Sequence, residues 1–285
     1  MKNLLIMILA LGSLSQAIAC DQHGLSGIVQ DNDLYIPAGL KSMQGLTKAQ
    51  FNSVIDQAEK IYSPIVSKAG GKLMIQRKWQ DGTVNASAQQ FFGMWIVNMY
   101  GGLARHSAVT KDGFALVLCH EIGHHLGGVP RVQSWASNEG QADYFGTMKC
   151  LRRMYENDDN STIISKMEIP STITEKCVAK YASELESSIC QRIAMSGQSL
   201  ANLFQELRKL PKAPHVDTPD TNIVSQTNNK HPHPQCRLDT YFAGALCEKS
   251  YDQPVSSTDP LIGTCNRIDG YTEGVRSKCW YAPAS

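Results

Sequence analysis

The chain has 285 residues, 42% of them hydrophobic, and carries 27 Lys and Arg against 26 Asp and Glu, a formal net charge of +1. That balance gives no electrostatic reason for a nucleic-acid or acidic-membrane partner, and the length suffices for one substantial core with a small appended piece. Nine cysteines, all from Cys20 onward, point to an oxidising compartment.

Residues 1–19 read as a signal peptide. Lys2 supplies the positive start, residues 4–14 form an apolar run too short to span a bilayer comfortably, and Ala17-Ile18-Ala19 fits a small-residue cleavage site. Two readings of Cys20 compete. Ordinary cleavage yields a soluble secreted protein. Ala17-Ile18-Ala19-Cys20 also resembles a bacterial lipobox, without its usual Leu, in which Cys20 is lipidated. Cysteine parity favours lipidation, because setting Cys20 aside leaves an even set of eight. The expected location is therefore a bacterial periplasm or cell envelope, with Cys20 as lipid anchor and soluble secretion as the alternative. Asp21 would then resemble the residue that retains some lipoproteins in the inner membrane.

Residues 20–46 are polar and rich in Gly and Asp, and read as an N-terminal tether. Thr47 with Gln50 is a capping box, and Phe51, Val54, Ile55, Ala58, Ile61 and Ile65 follow at helical spacing, with Pro64 bending or ending the helix. Alternation from Leu73 to Trp79, a hairpin turn at Asp81-Gly82, a return strand at 83–88 and a third strand at 94–100 predict a small antiparallel meander. Asp112 is placed to cap the next helix, which is apolar nearly all round and should be buried centrally, stopping at Gly127-Gly128 and Pro130. A further helix is expected from Ser137 towards Tyr155, and more helix over 172–210. Residues 211–235 read as a long loop, 236–247 as a short helix, and 248–285 as a Cys-containing tail held by disulfides. The fold expected over 47–247 is α+β and mainly helical.

The central helix carries His120-Glu121-Ile122-Gly123-His124, the H-E-x-x-H pattern, which a shuffled chain of this composition would contain about 0.01 times. Residues four apart share a helical face, so both imidazoles reach one metal ion, while Glu121 can act as base on a metal-bound water. Catalytic zinc normally takes three protein ligands. The H-E-x-x-H-x-x-G-x-x-H class is excluded, because Pro130 stands at its third ligand position. Glu139, on the following helix, is the candidate third ligand. Asp143, four residues on, shares its face and can accept the free N–H of a ligand histidine. A narrower alternative takes Asp143 itself as the ligand.

The run from Ala115 to Gly127, with Asn138-Glu139-Gly140-Gln141-Ala142-Asp143 after it, resembles the gluzincin family of CAAX prenyl proteases, heat-shock membrane proteases and periplasmic outer-membrane quality-control proteases. Val84-Asn85-Ala86-Ser87-Ala88 is similar to that family's N-A-x-A edge strand, and His231-Pro232 with Arg237 to its H-P-x-x-x-x-R element. The chain lacks the transmembrane helices of the membrane-embedded members, so it resembles the soluble or lipid-anchored branch. The resemblance implies a zincin-like domain with one Zn2+ per chain, a central metal helix packed on a Glu-bearing helix, and hydrolysis of peptide bonds in envelope or secreted proteins, misfolded ones included. It also implies that Asn85, Ala86, Ser87 and Ala88 bind substrate by strand addition, and that His231 and Arg237 sit near the developing oxyanion.

His125 falls off the metal face and reads as structural or exposed. His233 reads as a loop histidine or as an inhibitory ligand to the open metal position. Cys119 and Cys150 are placed to bridge the two central helices, although buried thiols would also fit. Cys236–Cys247 and Cys265–Cys279 are plausible local pairs among 105 connectivities. Two other function classes stay open: a zinc-binding, chaperone-like lipoprotein with little proteolytic activity, and a structural surface lipoprotein in which the motif is accidental.

Overall fold

Thr47 opens the first long helix, α1 (Lys48–Lys68), with both halves of the capping box in place: Gln50 N donates to Thr47 Oγ1 at 3.2 Å and Thr47 N to Gln50 Oε1 at 2.8 Å. Pro64 lies inside this helix and does not end it. Phe51, Val54, Ile55, Ala58, Tyr62 and Val66 form its buried face, the large apolar ones contributing roughly 1.5–3 kcal/mol each. This computed structural model describes residues 17–18, 27–30, 32–39 and 45–283. Cys20, Asp21 and His23 lie outside the described residues.

The sheet contains β1 (Ala17–Ile18), β2 (Lys72–Lys78), β3 (Ala86–Phe91) and β4 (Met94–Tyr100), in the order β1-β3-β4-β2. It is mixed, and the expected antiparallel meander does not form: β2 runs parallel to β4, from Lys72 opposite Met94 to Lys78 opposite Tyr100, while β3 is antiparallel to β4. Asp81-Gly82 is not a hairpin turn. Asp81 Oδ1 accepts from Thr83 N, and the Gly82 carbonyl accepts from Ile36 N, so the chain crosses over instead of doubling back. The hairpin lies at Phe92-Gly93, both at positive φ (46° and 76°), the backbone twist that a two-residue turn between strands requires. Phenylalanine rarely occupies that position, which hid the turn.

After a short turn, α2 (Gly101–Arg105), comes the central helix α3 (Lys111–Leu126), buried along almost its whole length. Its N-cap is Thr110, not Asp112. Asp112 instead receives Nε and Nη2 of Arg192 at 2.9 and 2.8 Å, an ion pair that fixes the start of α3. The next rod is α4 (Glu139–Phe145), a π-helical stretch (Gly146–Leu151) and α5 (Arg152–Tyr155). α3 and α4 approach most closely at Gly123, where a Cβ would sit 2.9 Å from the Ala142 carbonyl. Beyond them lie α6 (Asn160–Ile164), α7 (Ser171–Lys180), α8 (Glu184–Arg208) and α9 (Pro234–Ala245). The fold is thus α+β and mainly helical.

Disulfides join Cys119–Cys150, Cys177–Cys190, Cys236–Cys279 and Cys247–Cys265. The first bridges α3 to the π-helical stretch. The expected Cys236–Cys247 and Cys265–Cys279 pairs do not exist. Cys236 lies in the first turn of α9 and Cys247 just beyond its end, roughly 16 Å apart by helical rise, far outside disulfide reach. Each is bonded to the tail instead, and this pins the tail onto the helices. Trp280, fully buried, packs on Gly140 of α4, where a Cβ would meet its ring at 2.2 Å. Four disulfides mark a chain matured in an oxidising compartment. Among the described residues no helix is long and apolar enough to cross a membrane.

Lys149, buried on the π-helical stretch, donates to the Ser250 carbonyl of the tail. Burial, reinforced by the charges of Arg152, Lys249 and Arg153, pushes its pKa down to about 7 from 10.5. Below pH 7 both folded and unfolded chains hold this proton, and the folded state bears the full cost of the buried charge. As pH rises from about 7 towards 10.5 the unfolded chain retains more protons, so stability increases. The expected outcome is that the urea midpoint of the native chain rises relative to that of Lys149→Met between pH 7 and 9, measured by circular dichroism.

Candidate metal centre

The helical spacing of His120 and His124 puts both rings on the face of α3 that meets α4, 4.7 Å apart between ring centroids. Glu139 is the first residue of α4, where Asn138 caps the helix by accepting from Gln141 N at 2.9 Å. Its carboxylate projects between the imidazoles. His120 Nε2 lies 3.3 Å from Glu139 Oε2, and His124 Nε2 lies 3.7 Å from Glu139 Oε1. His120, His124 and Glu139 are all buried, and their ligand atoms lie within 4.8 Å of one another. Ligands about 2.0–2.2 Å from a tetrahedral ion stand roughly 3.3–3.6 Å apart, so the spacing suits one cation.

The second nitrogen of each ring fixes its tautomer. His120 Nδ1 donates to Asp143 Oδ1 at 2.7 Å, and His124 Nδ1 donates to the Ser137 carbonyl at 2.9 Å. Both Nε2 lone pairs therefore face Glu139. Besides His120, Asp143 accepts from Arg237 Nε and Nη2, each at 2.8 Å, and from the Tyr241 hydroxyl at 2.8 Å. Three of these four donors fall on Oδ1, the oxygen that holds His120 Nδ1, so Asp143 orients a ligand, and the ligand atoms that converge belong to His120, His124 and Glu139.

Polar atoms at the centre are left without partners. His120 Nε2, Glu139 Oε2 and both Glu121 oxygens are buried without hydrogen-bond partners, a costly condition unless something binds there. Burial pulls the His120 pKa down, but the charges and hydrogen bonds of Asp143 and Glu139 override it and raise it to about 9. Burial lowers His124 to about 4, so that ring is neutral and its lone pair is open at pH 7. Glu139 is held well below the usual carboxylate range: burial opposes this, and the His231 and His124 rings win. Glu121 rises to about 8, chiefly through burial.

The other predicted site residues fall as follows. His231 is buried, with Nε2 at 3.1 Å from Glu139 Oε2 and 2.8 Å from the Gly27 carbonyl. Arg237 spends two donors on Asp143 and donates Nη1 to the Ile28 carbonyl at 2.6 Å. Asn85, Ala86, Ser87 and Ala88 lead into and begin β3. Ser87 Oγ accepts from Asn98 Nδ2 at 3.1 Å, and Ala88 packs with Ala136. His125 is structural, sandwiched between the Trp95 and Trp135 rings. His233 does not reach the metal centre: it is exposed at the start of α9, where Nδ1 accepts from Gln235 N. It is His231, two residues earlier, that faces Glu139.

Several contributors were not read from the sequence. Tyr241 is one helical turn beyond Arg237, so the shared face was available as a signal. Arg276 of the tail donates Nε to Gln141 Oε1 at 2.6 Å, and Gln141 Nε2 donates to the Gly127 carbonyl at the end of α3. No local pattern announces that contact. Nor does one announce that Gly27, Ile28 and Val29, within the expected tether, are buried against the site.

Comparison of the chain with protein-family models, curated proteins and solved structures returns no match. Function must therefore be argued from this geometry. Glu139→Ala is expected to abolish stoichiometric zinc uptake in equilibrium dialysis. Asp143→Asn should weaken zinc affinity by about 10–100-fold while leaving a site that still fills at high zinc.

Proposed function

We propose that the chain is a zinc-dependent endopeptidase with a zincin-like domain of gluzincin type. The observation that carries the reading is a two-His, one-Glu donor set beside an unpartnered, buried Glu121. Three protein ligands from imidazole and carboxylate suit catalytic zinc, which keeps a fourth position open, whereas structural zinc is normally closed by four. When bound, zinc supplies Lewis acidity to a water and to the scissile carbonyl.

The remaining steps belong to this chain's side chains. Glu121 adjoins the first ligand, and both its oxygens are buried without a hydrogen-bond partner, which leaves its carboxylate available to shuttle a proton. It takes the proton of the attacking water and delivers it to the departing amine. His120 and His124 are held by Asp143 and the Ser137 carbonyl, so neither turns during the reaction. Arg237 is a positioning residue, since its guanidinium is committed to Asp143. His231, beside Glu139, is the donor suited to the developing oxyanion. An extended peptide would add to the β3 edge, where main-chain hydrogen bonds accept many sequences.

The disulfides and the leader-like N-terminus support export. A lipid anchor at Cys20, a bacterial envelope location and misfolded envelope proteins as substrates complete the reading. Glu121→Gln is expected to bind zinc stoichiometrically yet cut casein at least 10²-fold more slowly. A variant that cuts as fast as the native chain would remove Glu121 from the reaction.

A further inference from the structure

The edge that a substrate needs is already covered. Ile28 N donates to the Ala86 carbonyl at 3.1 Å. The Asn85 side chain grips Val29 at two points, with Val29 N donating to Oδ1 and Nδ2 donating to the Val29 carbonyl, both at 3.3 Å. The two cationic-type donors of the site are occupied as well: His231 Nε2 donates to the Gly27 carbonyl and Arg237 Nη1 to the Ile28 carbonyl. His231 Nε2 is also 3.1 Å from Glu139 Oε2, so only one imidazole nitrogen separates the Gly27 carbonyl from the metal-ligand set. Farther along the same edge, Ala17 and Ile18, which belong to the expected leader and not to the mature chain, pair antiparallel with Gln90 and Gln89 of β3.

The sequence suits this placement. Gly27 has φ +79°, and a Cβ there would lie 2.0 Å from the Ala86 carbonyl oxygen and 2.2 Å from Asn85 Oδ1, so only glycine fits. Ile28 is fully buried and Val29 nearly so. Asn32 to Tyr35, which follow, are exposed and join the segment to the body, with Asn32 Nδ2 donating to the Val84 carbonyl at 3.3 Å and Tyr35 bridged to Thr83.

We propose that Gly27-Ile28-Val29 is an internal substrate mimic, an autoinhibitory strap that fills the peptide-binding edge beside the metal centre and keeps the chain latent until it is displaced. The inhibitory consequence rests on the endopeptidase reading; the occupancy of the edge does not. A tethered occupant acts at an effective concentration of about millimolar or higher, so a free peptide competes poorly while the strap is in place. Displacement releases the Ala86 carbonyl, the His231 and Arg237 donors and the two bonds of the Asn85 side chain to Val29 together.

The test uses the mature chain and its Gly27→Val variant, with a dye-labelled peptide of the sequence of residues 25–33 as probe. Zinc content and thermal melting establish that each protein is folded and loaded. The strap requires that Gly27→Val bind the labelled peptide at least tenfold more tightly than the native chain by fluorescence anisotropy; on the endopeptidase reading the variant also cuts casein at least tenfold faster. Unlabelled peptide should reverse the gain in cutting. A folded, zinc-loaded variant that captures peptide no better than the native chain overturns the strap and leaves the segment structural. A variant that captures peptide but cuts no casein supports the strap and overturns the endopeptidase reading. Should Gly27→Val not fold, a specific protease site inserted between Asp33 and Leu34, cut after folding and then diluted, gives the same comparison.

Discussion

The candidate metal centre depends on one buried ion pair, Arg237 with Asp143. Asp143 is fully buried, and it reaches His120, Arg237 and Tyr241 at once. A carboxylate there is tolerable only because the guanidinium and the other donors replace its water, and breaking such a pair typically costs about 3–5 kcal/mol. Through Asp143, the orientation of the first metal ligand is coupled to α9. The Arg237 guanidinium stacks 4.5 Å from the Phe204 ring, which couples it to α8 as well. Four helices therefore converge on the placement of one imidazole.

The tail extends the same logic. Cys236–Cys279 and Cys247–Cys265 fasten it to both ends of α9, Trp280 packs on Gly140, and Arg276 reaches Gln141. A segment with almost no regular structure thereby stiffens α4, on which Glu139 sits. The Cys119–Cys150 bridge does the same on the other side of α3. Three of the four disulfides thus hold α3, the π-helical stretch or α9, the elements around the candidate centre, while Cys177–Cys190 joins α7 to α8.

How much of this was legible in the sequence varies with the range of the interaction. The capping box at Thr47, the metal helix and the Glu139–Asp143 helix all follow from contacts three to five residues apart, and each was read in place. The mixed sheet was not, because strand order depends on where a crossover goes, and Arg105 and Ile36 set that from afar by engaging the Trp79 and Gly82 carbonyls. Asp112 looked like a helix cap but was taken by Arg192, eighty positions away. Cysteine count gave parity but not partners. The role of His231 over His233, and the burial of Gly27 to Val29 in a stretch that reads as a polar tether, came from contacts more than fifty residues long.

The central claim is that His120, His124 and Glu139 grip one divalent cation while Asp143 and Arg237 hold the first ligand in line. Anomalous diffraction at the zinc absorption edge, from crystals of the purified mature chain, tests it most directly. The account requires a single strong peak about 2.0–2.2 Å from both Nε2 atoms and a Glu139 oxygen, with Asp143 on Nδ1 of His120. Crystals from zinc-containing solution with no peak among these three residues, or with a peak bound by Asp143 in place of Glu139, would contradict it.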